Sequence, residues 1–91
     1  MVEPRITGIT IAEGERDRAL GVVARFSFDL GPMRVRGCAL VLSTEGVPLA
    51  SMPRCKSDAA AVRFSDHETR LQVSRAALAA FRALGGRLPT E

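Results

Sequence analysis

The run Leu20-Gly21-Val22-Val23-Ala24-Arg25-Phe26-Ser27-Phe28-Asp29-Leu30 carries the clearest structural signal in the chain. Its even positions, Leu20, Val22, Ala24, Phe26, Phe28 and Leu30, are all apolar, and Gly21, Arg25, Ser27 and Asp29 lie between them. Side chains on a strand point alternately to its two faces, so a period of two places one set in a core and the other in water. Residues 19–30 are therefore expected to form a long antiparallel strand with one buried face.

The flanking segments extend this strand into a sheet. Residues 6–12 read as a first strand, with Ile9 and Ile11 on one face and Thr10 on the other. Glu13-Gly14-Glu15-Arg16-Asp17 is polar, contains a glycine and suits a hairpin loop. Gly31-Pro32 is a turn. In the next strand, 33–42, Met33 and Val35 alternate with Arg34 and Arg36, and then Cys38-Ala39-Leu40-Val41-Leu42 is apolar on both faces. Gly37 sits at the change and marks the place for a bulge or kink. A strand apolar on both faces needs cover on both sides. A helix supplies one cover, and a second copy of the chain is the expected source of the other, with Cys38, Leu40 and Leu42 at the contact. Ser43-Thr44-Glu45-Gly46 is a further turn. Residues 47–52 form a short strand whose Pro48 suits an edge, 52–58 form a loop, and 59–64 read as a fifth short strand.

The last third reads as a helix over 66–84, followed by a tail, 85–91. Ser65 and Glu68 have the spacing of a capping box. Leu71, Val73, Ala77, Leu78, Ala80, Phe81 and Leu84 recur at helical intervals, and Gly85-Gly86 then supplies a stop. Strands first and one helix last indicate a single α+β domain, with an antiparallel sheet of four to five strands.

Composition narrows the function. Hydrophobic residues make up 46% of the 91 and charged residues 25%, ordinary globular proportions that argue against disorder. No apolar run approaches the ~20 residues that span a bilayer, and Met1-Val2-Glu3-Pro4-Arg5 does not open a secretory leader, so a cytoplasmic protein with no membrane partner is expected. The two cysteines, Cys38 and Cys55, have neither metal nor redox spacing and read as free thiols. The single histidine, His67, lacks a neighbouring ligand set, so no metal and no cofactor are expected. His67 is also the only conventional base for a nucleophile such as Cys55, and no phosphate-cradling glycine loop is present, so catalysis is not expected.

The net charge of +3 comes from 12 Arg and one Lys against 10 acids, and it is uneven. Residues 1–29 balance at −1 and residues 64–91 at +1, whereas Arg34, Arg36, Arg54, Lys56 and Arg63 face only Glu45 and Asp58 in residues 30–63, a balance of +3. A basic middle points to an anionic partner. Phe26 and Phe28 share a strand face with four aliphatic residues, so core packing rather than base stacking accounts for them. The route left for nucleic acid is Arg and Lys on phosphates. Candidates are Arg34 and Arg36 on a strand, Arg54 and Lys56 in the loop, and Arg70 and Arg75 on the helix.

The run Ala24-Arg25-Phe26-Ser27-Phe28-Asp29, the turn at Glu45-Gly46, Leu49-Ala50-Ser51-Met52-Pro53, the basic pair Arg54 and Lys56, and Thr69-Arg70 at the helix start resemble the stage V sporulation protein G family. The resemblance spans about two thirds of the chain in the same element order. It implies a homodimer built by sheet pairing or strand exchange, and a regulator that binds DNA or RNA without catalysis. Carried over residue by residue, it points to Arg54, Lys56 and Arg70. The competing expectation is a non-catalytic protein–protein interaction module on the same dimeric scaffold, recruiting its partner through a strand edge or loop.

Overall fold

A computed structural model describes residues 3–52 and 64–88. The elements run β1 (Arg5–Ile11), α1 (Glu15–Ala19), β2 (Val22–Leu30), β3 (Met33–Leu42), β4 (Pro48–Ser51) and α2 (His67–Ala83). The four strands form one antiparallel sheet in the order β1-β2-β3-β4, and α2 packs on one face of it. The fold is α+β, as the element order implied.

The alternation in β2 phases the whole structure. Ala24, Phe26 and Phe28 are buried toward α2, while Arg25 on the opposite side is exposed. Antiparallel pairing carries this phase outward, because residues opposite each other share a face. Ile6, Ile9 and Ile11 of β1 stand opposite Phe28, Phe26 and Ala24, and Leu40 of β3 stands opposite both Ala24 and, on its other side, Ala50 of β4. On the helix, Val73, Ala77 and Phe81 recur at intervals of four and close the core. Phe28 lies near two further rings, Phe26 at 6.1 Å and Phe64 at 6.4 Å between centroids. Burying such a set is the main favourable term in the folding of a chain this size.

Gly37 makes the phase consistent along β3. Phe26 faces Cys38 but Phe28 faces Val35, so β3 carries one residue more than β2 across this interval, and Gly37 adopts φ 76. An extra residue in one strand is a bulge, and a left-handed residue within it favours glycine. Without it, either Val35 or Cys38 would point away from the core.

Four sequence expectations are corrected. Residues 15–19 form the single-turn helix α1, not an irregular hairpin loop. The strand consequently begins at Val22 instead of 19: the Leu20 amide donates to the carbonyls of Arg16 and Asp17, and Gly21 at φ 77 turns the chain into β2. Leu20 shares the even phase of β2 in sequence, yet it lies before the strand and is 63% exposed. The cap of α2 is Asp66, not Ser65. Its side chain accepts the Glu68 amide at 2.9 Å and the Thr69 hydroxyl, both ordinary ways of satisfying first-turn donors. Leu84 ends the helix 54% exposed and Gly85 follows at φ 88, whereas Leu88 in the expected tail returns to the core. The expected strand 59–64 lies outside the described residues except for Phe64, which packs against the core without being a strand residue.

Candidate nucleic-acid interface

Val22, opposite Val41 beyond an irregularity in β2, is buried at one end of the second face of the sheet, and among the described residues no helix comparable to α2 lies across that face. Alternation places Arg25, Ser27 and Asp29 of β2 there. Pairing adds Arg5 and Thr10 of β1 and Arg34 and Ala39 of β3, and Arg36 joins them from the bulge opposite Ser27. The same pleat that buries the apolar set therefore presents four guanidinium groups on the opposite side.

Two of the four are held by carboxylates. Arg34 makes a forked contact with Asp29, Nε to Oδ1 at 2.7 Å and a terminal nitrogen to Oδ2 at 3.0 Å. Arg25 reaches Asp17 of α1 at 2.7 Å, which ties the short helix to the start of the open face. The hydrogen bond from Arg34, aided by its charge and that of Arg5, holds the Asp29 carboxyl below its ordinary value. Both pairs are open to solvent, where ion pairs contribute little to stability. They orient the guanidinium groups at little cost to a competing anion. Arg5 and Arg36 are exposed and form no salt bridge among the described residues. At one end of this face lies a hollow of about 900 Å³, where Leu20, Ala39 and Val41 are apolar and Arg16, Arg25 and Arg70 are charged.

The structure separates the arginines that sequence alone had grouped. Arg34 and Arg36 share the open face. Arg75 is exposed on α2, in the layer on the far side of the sheet, and does not join them. Arg70 fastens the helix to the sheet: its Nε donates to the Ala50 carbonyl at 3.0 Å, while the buried Ser74 hydroxyl accepts the Ala50 amide at 2.7 Å and donates to the Arg70 carbonyl at 2.6 Å. Both backbone polar groups of Ala50 on the outer edge of β4 are thus satisfied by α2, which shields that edge at its most buried residue. Arg54 and Lys56 lie outside the described residues. Arg5, Arg16 and Arg25 were not singled out from sequence. Arg25 was legible as an outward position of the strand, but the place of Arg16 depends on α1, a single turn too short to leave a periodic signal.

The three residues expected at a subunit contact lie on the α2 side of the sheet. Cys38 and Leu40 are fully buried beneath α2 within one chain, and Leu42 is half-buried on the same side. The bulge phases β3 so that Ala39 and Val41 are the half-buried side chains on the open face. Burial pushes the Cys38 thiol up to about 11, so it is protonated and unreactive at neutral pH. Among the described residues no group of three His, Cys, Asp or Glu side chains is placed to hold a metal ion, and no helix is long and apolar enough to cross a membrane. Comparison with known proteins returned no match to any family model, curated protein or solved structure.

Proposed function

We propose that this chain is a non-catalytic regulatory protein that binds DNA or RNA through phosphate contacts on the open face of its sheet, acting as a pair of chains that doubles the basic surface. The observation that carries the reading is the convergence of Arg5, Arg25, Arg34 and Arg36 on the sheet face opposite α2, with Asp29 and Asp17 the carboxylates paired to them among the described residues. Arginine forks match phosphate oxygens in pairs, and a phosphate can take the place of Asp29 or Asp17 on a guanidinium that is already extended. The basic middle of the sequence and the resemblance to the stage V sporulation protein G family support the same reading. Both aromatic residues of β2 lie in the core, so affinity would come from the nucleic-acid backbone and not from stacked bases.

A gel-shift series at 50 and 200 mM salt tests this. About four phosphates neutralised per pair of chains give a slope of log affinity against log salt of about −3 to −4, or roughly a hundredfold loss over that range. Absence of binding at 50 mM salt, or binding indifferent to salt, would overturn the reading.

A further inference from the structure

A second hollow, of about 670 Å³, opens between the end of β1, the α1–β2 turn and the last turn of α2, away from the basic face. Val23, Leu42 and Phe81 form its apolar wall, and Arg18, Arg87 and Glu13 stand around it. Its size is that of a small-molecule site, and an apolar wall with a few convergent charged groups is the usual make-up of one. Two glycines shape it. A Cβ at Gly86 would come within 2.5 Å of the Phe81 ring, and one at Gly21 would come within 3.1 Å of the Leu42 carbonyl at a φ of +77. The chain therefore approaches both walls as closely as its backbone allows. Neither Arg18 nor Arg87 has a carboxylate partner among the described residues, and with Glu13 the three groups leave one net positive charge at the opening.

We propose that this hollow binds a small apolar carboxylate, its hydrocarbon part against Val23, Leu42 and Phe81 and its carboxylate between the guanidinium groups of Arg18 and Arg87. An apolar wall rewards the hydrocarbon in proportion to the area it covers, and paired arginines select a carboxylate over a neutral head. This site is separate from the nucleic-acid face and stands or falls independently of it.

Octanoate, hexanoate and octanol are the probes, titrated into the full chain by calorimetry with shifts of the Val23, Leu42 and Phe81 side chains followed by NMR. Octanoate is expected to saturate one site per chain and to move those three residues. Octanol should bind at least tenfold more weakly, and hexanoate roughly fifteenfold more weakly, since each of the two missing methylenes contributes about fourfold. Exchanging both charges in R18E/R87E should weaken octanoate at least tenfold and leave octanol unchanged, with the same unfolding midpoint, whereas Glu13→Gln should tighten octanoate. No saturable binding at millimolar octanoate, equal affinity for octanol, or shifts confined to other residues would overturn the proposal. The contrast between octanoate and octanol is read on the unaltered protein, so it decides the matter even if the charge exchange impairs folding.

Discussion

The two faces of the sheet are built by the same strands and differ in what covers them. Toward α2, Phe26, Phe28, Cys38 and Leu40 are packed out of solvent. On the other side, one residue along in each strand, Arg25, Asp29 and Arg34 reach into water and pair in solvent-exposed ion pairs. One alternation thus supplies both stability and surface, and the two are separable by substitution. Changes on the helix side should alter the unfolding equilibrium and leave the affinity of the folded protein alone, whereas changes on the open side should do the reverse.

The strongest response is expected at the centre of the covered face. Phe28→Ala removes a ring that is 1% exposed and adjoins Phe26 and Phe64, so it should cost about 3–5 kcal/mol in urea unfolding. A cost below about 1 kcal/mol would mean that α2 does not seal this face. Next in size is Ser74→Ala, which strips the partner from the Ala50 amide at the β4 edge and should cost about 1–3 kcal/mol in the same measurement. Hydrogen exchange of the Ala50 amide should accelerate in this variant more than that of amides in the middle of the sheet.

On the open face the expected changes are smaller and of a different kind. Arg36→Ala should leave the unfolding midpoint unchanged, weaken nucleic-acid binding severalfold without regard to base sequence, and reduce the salt slope by about 1 for each phosphate that is no longer neutralised. Arg75→Ala, on the far layer, is the matched control and should leave the slope as it was. A shift in stability from Arg36→Ala, or equal weakening by both variants, would break the contrast between the faces.

The weakest response is electrostatic. Because Arg34 holds the Asp29 carboxyl below its ordinary value of 3.8, the pair favours the folded state above that value, and its contribution disappears as pH falls through the lower folded-state value. Arg34→Ala should return the Asp29 titration, followed by carbon NMR, toward the ordinary value, and any accompanying decrease in stability should be confined to pH above the acid range. An Asp29 titration that does not move would mean that the fork does not persist in solution.

Much of this was legible in the residues themselves. The alternation from Val22 to Leu30 determined a half-buried strand, and the recurrence of Val73, Ala77 and Phe81 determined an amphipathic helix, because both signals come from side-chain direction along a local backbone. Arg34 and Arg36 were identifiable as outward positions for the same reason. Other features depended on contacts between distant segments. The packed chain alone places Leu20 in the turn after α1, turns Cys38 and Leu40 toward the helix through the Gly37 bulge, and sets Arg70 on a strand edge while Arg75 faces away. Periodicity states that an element has two sides; which side is covered, and which cation is drawn into a structural hydrogen bond, depends on where the rest of the chain comes to lie.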